Sequence, residues 1–431
     1  MSVRDLISDI RKEFPRADSD ASGRRRVFFD AGAGSLVLGR AAQAVEESMV
    51  DYSANLGLPA WESQKSMELI QESRKAIKDF LNAESENCIA SGDSVTSIFF
   101  RLSYALAKVL DADANVVSTE YEHYGHLTSW LELARRGSIK EVRLTRFNPQ
   151  TGELDLDHFA QLVDSKTKVV SVTGIANTLG TVSPLEKMGK YAREVGALFV
   201  VDAAHMTPHI RIDLQKLDCD LLIFSGYKIF SKRGGFMYGK RTILEKLQPY
   251  RPEPAPDVIP GKWEIGTLDQ TSYAAFRALL EYLEWLGGKV LSEFEAELGD
   301  YTGRVKNLKS AMLWTEHYET ELSKAMLYGG DGAPGLTQMP KLTLYGSKDI
   351  SRSKHRCPTF MFNILGVDAR KVAEYLWERH SIAVPAGNFY SRALKTYGIE
   401  SAVRASLAHY NTVQEISSFL RALDDACRKL V

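Results

Sequence analysis

Seven short runs rich in β-branched and aromatic residues constrain this chain more than any other feature. They read NCIA, NVVS, EVRL, KVVSVT, ALFVV, LLIF and GFMY, spread from Asn87 to Tyr238. Most carry apolar residues at successive positions, the pattern of strands covered on both faces. Helical patterns alternate with them. Ser183, Pro184 and Glu186 read as an N-cap, a first-turn proline and a capping box, and Leu185, Met188, Ala192 and Val195 follow at helical spacing. This alternation predicts an α/β fold with a mostly parallel sheet over residues 85–240. Beyond it, PYRPEPAPDVIPG (Pro249–Gly261) reads as an extended loop. The helical AAFRALLEYLEWLG and a C-terminal α/β portion come next. The last helix opens with a capping box at Thr412 and Glu415.

Charge and cysteine usage narrow the classes. Lys and Arg total 54 against 55 Asp and Glu, a net charge of −1, which gives no electrostatic reason to expect nucleic acid or an anionic membrane as partner. The opening MSVRDLISDIRKEF mixes both charges without an apolar h-region, so no secretory signal is expected, and no run approaches membrane-spanning length. The four cysteines, Cys88, Cys219, Cys357 and Cys427, lie far apart with no C-x-x-C pair. A reduced, cytoplasmic protein without disulfides or bound metal is expected.

In open α/β sheets, ligands sit beyond the C-terminal ends of the strands. There this sequence places Asp202 after ALFVV, and Ser225, Tyr227 and Lys228 after LLIF. Gly92, Asp93 and Ser94 stand between a strand and the helix VTSIFFRLSYALAKVL. A glycine turn into a helix N-terminus suits a phosphate. Taken singly, an Asp at a strand end is more often a cap, and a lysine there is more often solvated. Acid, phosphate turn and lysine at the ends of one sheet make a stronger signal together.

That combination carries a resemblance. VVDAAHMTPHIRIDLQKLDCDLLIFSGYK resembles the cofactor-binding core of fold-type I, pyridoxal-5′-phosphate (PLP) enzymes, specifically class V aminotransferases and cysteine desulfurases, with 26 residues from Asp202 to Lys228. FFDAGAGSLV, EHYGHLTSW, NTLGTVSPL, WEIGTLD and VRASLAHYNT are also similar, in the family's order. The resemblance implies a large PLP-binding domain over 26–285 and a smaller C-terminal domain over 286–431, with residues 1–25 packing on the latter. It implies that Lys228 carries PLP as an internal aldimine and later moves the Cα proton, and that Asp202 keeps the pyridinium nitrogen protonated. His123 would stack on the ring. Asn177 would lie near the ring oxygen or the substrate carboxylate, and His205 stands where desulfurases carry Gln. The phosphate would be held by Gly92, Asp93 and Ser94, by Ser225 and Tyr227, and by Thr267 from a partner subunit, which implies a homodimer. Arg404 would clamp the α-carboxylate of an amino-acid substrate.

One block departs from the family. Desulfurases carry a nucleophilic cysteine on a C-terminal loop, whereas Val384–Leu394 reads VPAGNFYSRAL, with Tyr390 in the nucleophile's place. On that ground the expected activity is a PLP-dependent lyase acting at the β-carbon of an α-amino acid, by C–S or related cleavage or by β-decarboxylation, and not a persulfide-forming desulfurase. The alternatives are an aminotransferase or epimerase, a carbon–carbon bond-forming relative, and a non-catalytic scaffold. A dinucleotide-binding fold is disfavoured because no G-x-G-x-x-G follows the early strands.

Overall fold

The computed structural model describes residues 3–349, 351 and 356–431. After a short strand β1 (Val27–Phe28), the predicted runs become β2 (Ile89–Gly92), β3 (Asn115–Thr119), β4 (Glu141–Thr145), β5 (Thr167–Thr173), β6 (Leu198–Asp202), β7 (Leu221–Ser225) and β8 (Gly235–Gly239). The last seven form one sheet in the order β2-β8-β7-β6-β5-β3-β4. From β4 to β7 each neighbouring pair is parallel, while β8 runs antiparallel to both β7 and β2. The sheet is therefore mixed and mostly parallel, as its apolar runs predict. Val116, Val170, Val201 and Leu222 are fully buried at its centre, because helices cover both faces.

The chain then builds a short hairpin, β9 (Gly329–Gly330) with β10 (Ala333–Pro334), and five further strands: β11 (Leu342–Tyr345), β12 (Thr359–Ile364), β13 (Ile382–Ala383), β14 (Ala386–Gly387) and β15 (Ala402–Ser406). Four of these make an antiparallel sheet in the order β11-β12-β15-β14. Its apolar face packs Phe360, Phe362 and Val403 against Val372 and Phe419 of the helices Ala369–His380 and Val413–Lys429. β1 pairs with β13, which ties the early chain to this second sheet. Among the described residues, no helix is long and apolar enough to cross a membrane.

One cap is as expected and one is not. Thr412 and Glu415 close a capping box, the Thr412 hydroxyl accepting from Glu415 N and the Glu415 carboxylate from Thr412 N. Ser183 does not cap the helix Leu185–Glu194. Its hydroxyl donates instead to the Thr173 carbonyl at 2.6 Å, because the serine is buried against the end of β5.

Candidate active site

Strand ends build the site. β6 ends on Asp202, β7 ends on Ser225, and the turn after β7 brings Lys228 back over the same edge. Lys228, Asp202, Ser225 and Tyr227 line one pocket with His123, Asn177 and His205, which arrive from other segments. The helix Val95–Ala107 aims its first turn at it, so Ser94, Val95 and Thr96 also line the wall. The first N–H groups of a helix have no intrahelical partner and favour an anion. The helix reaches the sheet closely because β8 offers Gly235. A side chain there would place its Cβ 2.7 Å from Ser94 C and 2.8 Å from Val95 N.

Burial sets the electrostatics. Desolvation and the nearby Arg404 pull Lys228 down to about 8, against the opposing pull of Asp202 and Asp30. Burial raises Asp202, whose Oδ1 accepts from Ala204 N at 2.9 Å. Behind it, His126 Nδ1 lies 3.9 Å from Asp202 Oδ2 and 2.8 Å from Glu122 Oε2, and Nε2 meets Ser171 Oγ at 2.6 Å. Burial alone would lower His126, but Glu122 outweighs it and, with Asp202, raises the imidazole. His123 N-caps the helix Tyr124–Arg135, its Nδ1 accepting from Gly125 N at 2.9 Å. Burial, then Lys228, hold His123 down at about 3, so its ring is neutral with the proton on Nε2.

Polar atoms are left over at this place. Ser225 Oγ, Asn177 Oδ1, His205 Nδ1 and Arg404 Nε are buried without a hydrogen-bond partner. Buried polar groups are normally paired, so three orphaned residues on the wall of one pocket with Lys228, and Arg404 bonded to the Asn177 carbonyl behind it, point to a polar ligand. Arg404 is only 2 % exposed. Its Nη1 donates to the Asn177 carbonyl at 3.0 Å, its Nη2 to Asp30 Oδ1 at 3.1 Å, and the Phe389 ring stacks 4.5 Å from the guanidinium carbon. The unused Nε–H edge is left for a carboxylate. A phosphorylated pyridine aldehyde fits the donor set: an amine for the aldehyde, a carboxylate for the ring nitrogen, and a hydroxyl with a helix N-terminus for the phosphate.

Not every predicted residue falls on the pocket wall. Gly92 is spent pairing with Gly235, and Asp93 points to solvent. The Ser94 hydroxyl caps its own helix by accepting from Ser97 N. Thr267 is exposed and lies outside this pocket. Tyr390, 69 % exposed, sits beside the mouth with its ring centroid 5.9 Å from that of His123, on a loop where Phe389 and Tyr390 both have positive φ. His126, Thr96 and Asp30 were not singled out by the sequence reading. His126 had a signal, one helical turn after His123. Asp30 had none beyond its place in FFDAGAGSLV.

Comparisons with known proteins follow the same lines. The family model for Aminotransferase class-V matches residues 27–326 and 317–419. A probable cysteine desulfurase from Synechocystis is 30% identical over 450 residues, covering 99% of this chain and 97% of that protein. A cysteine desulfurase from Pectobacterium atrosepticum is 27% identical, covering 98% of each chain. Among solved structures, a cysteine desulfurase from Thermococcus onnurineus superposes with a TM-score of 0.80 at 24% identity over 98% of both chains. One from Escherichia coli gives 0.78 at 22% identity over 99% of both. These two show the fold. The names of the sequence relatives overturn the expectation of a lyase that is not a persulfide-forming desulfurase. That expectation leaned on one exposed loop position, Tyr390, while likeness along the whole chain points to desulfurases.

Proposed function

We propose, for a chain that belongs to the aminotransferase class-V family, that it is a cysteine desulfurase, taking sulfur from L-cysteine and leaving L-alanine. The carrying observation is the full-length likeness to proteins of that name, joined to a pocket lined by both Lys228 and Asp202. The family's cofactor is pyridoxal 5′-phosphate. When bound, it supplies an aldehyde for an amine and a ring that draws electrons from the substrate carbon.

Lys228 holds the cofactor and moves the proton at the substrate Cα. With its pKa near 8, a useful share of the amine is free near neutral pH. Asp202 would meet the ring nitrogen, with His126 and Glu122 behind the carboxylate. His123, neutral and oriented by Gly125 N–H, would stand against the ring. Ser225, Tyr227 and the Val95–Ala107 helix N-terminus would hold the phosphate. Arg404 takes the α-carboxylate along its Nε edge. The sulfur step is balanced without an oxidant. A thiolate attacks the substrate sulfur, the Cβ–S bond breaks with its electron pair moving to Cβ, a proton joins that carbon, and the attacking thiol is left as a persulfide. All four cysteines of the chain are buried and unpaired, so the attacking thiol enters from outside at the mouth bordered by Tyr390.

The same reading makes residues 26–285 the cofactor-binding domain and 286–431 the smaller one, with residues 1–25 packing on the latter. It also makes the protein a cytoplasmic homodimer, to which Thr267 contributes across the interface. Free thiols support the compartment. Exposed Met49, Val50, Leu56, Leu58, Trp61 and Met67 support the dimer. The segment that carries them is tied to the chain just after Thr267, where Gln270 Nε2 donates to the Tyr52 carbonyl at 3.0 Å. Light scattering should therefore return twice the 48.1 kDa chain mass.

The test of the activity is PLP-loaded protein with L-cysteine and dithiothreitol as thiol acceptor. Alanine and sulfide in equal amounts, both lost in Lys228→Ala, are expected. Pyruvate and ammonia in place of alanine would sink the assignment.

A further inference from the structure

On the far side of His205 from the cofactor pocket, two segments distant in sequence bring three ligand-type side chains together. His205 and His209 lie in the turn after β6, and Cys357 stands two residues before the start of β12. They are 2 %, 3 % and 4 % exposed. His205 Nε2 stands 3.8 Å from Cys357 Sγ, and the ligand atoms of all three residues lie within 4.8 Å of one another. Around a tetrahedral zinc ion such atoms would be about 3.5 Å apart, so closure asks for shifts of about an ångström.

The surroundings match a cation better than an apolar core. His209 Nδ1 is held at 2.8 Å by Glu319 Oε2, which leaves Nε2 as its free ligand atom. A carboxylate behind a ligating imidazole orients the ring and raises its basicity. The other Glu319 oxygen is buried without a partner. One thiolate and the Glu319 carboxylate together balance a divalent charge, which a buried site requires. Arg356, next to Cys357 in the chain, spends its two terminal nitrogens on the Ser347 and Thr359 carbonyls, while Lys228 and Arg404 act on His205 from the cofactor side. His209, Glu319 and Cys357 also line a cavity of 560 Å³ that gives an ion a way in.

We propose that His205, His209 and Cys357 form a site for one divalent transition-metal ion of the zinc class, with a fourth position open to the adjoining cavity. Two imidazoles and a thiolate are the donor set such borderline ions select. The expectation of a metal-free chain rested on cysteine spacing, and this site uses a single cysteine. Metal on His205 Nε2 would replace its 3.1 Å contact with Thr359 Oγ1 and leave the ring proton on Nδ1, the orphaned atom of a residue that also lines the cofactor pocket. Occupancy thus sets the tautomer next to the cofactor.

The test uses the untagged full chain, freed of metal with a chelator and titrated with cobalt(II) and zinc chloride. One tightly held ion per chain and a thiolate-to-cobalt charge-transfer band are expected. Cys357→Ser should abolish the band and weaken zinc binding at least about tenfold, while the bound cofactor's visible absorbance remains. His209→Gln serves if the serine variant fails to fold. Lys228→Ala should bind metal as the parent does, so a failed desulfurase reading leaves this result standing. Uptake below one ion per chain, or uptake unchanged in both ligand variants, overturns the proposal.

Discussion

Arg404 shows how much one residue's orientation depends on neighbours that never meet the substrate. Its guanidinium is held by the Asn177 carbonyl and the Asp30 carboxylate, which leaves Nε as its unpartnered donor. Asp30 is itself raised by burial, while Arg404 pulls it back toward ionisation. Replacing Asp30 by Asn keeps the shape but removes the charge that holds the fork. The KM for L-cysteine should rise about tenfold, equivalent to about 1.4 kcal/mol, with kcat within about threefold. An unchanged KM would show that Arg404 is held by packing alone. Lys228, Asp202 and Ser225 were legible in the sequence because a strand end fixes a residue's place from local pattern. Asp30 was not: its partner lies 374 residues away, and no periodicity encodes that meeting. Tyr390 carried too much weight in the expected reaction, since a single exposed loop residue says little about the chemistry of a whole pocket.

Strands and helices carry the next level of constraint, and here the sequence spoke most clearly. Continuous apolar runs such as LLIF and ALFVV announce strands buried on both faces, and all seven took their place in one sheet. The failed cap at Ser183 shows the limit of local pattern. A serine before Leu185 suits an N-cap, but the cap position falls on Pro184 and the Ser183 hydroxyl is turned to donate to the buried Thr173 carbonyl, away from the helix N–H groups. The closest fit between elements is Gly235 against the start of the Val95–Ala107 helix. Gly235→Ala would drive a methyl into backbone atoms 2.7 and 2.8 Å away, and into Ile98 Cδ1 at 2.8 Å. Overpacking of this kind costs about 1–3 kcal/mol. The helix start must retreat, so thermal stability should fall and PLP affinity should weaken together. A loss of stability with cofactor affinity intact would mean that the helix N-terminus is not part of the phosphate site.

At the scale of the whole molecule, Lys309 joins segments that no single element could hold. It rises from the helix Gly303–Tyr328 and donates to the carbonyls of Phe80, at 2.7 Å, and of Ile212, beside the helix Trp61–Leu81 and the chain after β6. It is 1 % exposed, and burial pushes it down to about 7, against the weaker pull of Asp213. In the unfolded chain its pKa returns to the ordinary lysine value near 10.5. Between these two values the unfolded state binds more protons than the folded one, so stability must rise with pH across that window. Below about pH 7 both states carry the proton, and the whole burdening effect of the buried charge is present. As pH climbs toward 10.5 it is relieved, by an amount on the order of 5 kcal/mol if this lysine acted alone. Lys309→Met removes the titration and leaves every other group in place, including the depressed Lys228, so the comparison isolates one side chain. The difference in Tm, variant minus parent, should be most positive at pH 7 and below and should fall steadily as pH rises toward 10, whatever the methionine gains or loses by packing. A difference that stays flat from pH 6 to 10 would mean that Lys309 is charged in the folded protein throughout. The two carbonyls would then hold an ammonium ion rather than an amine.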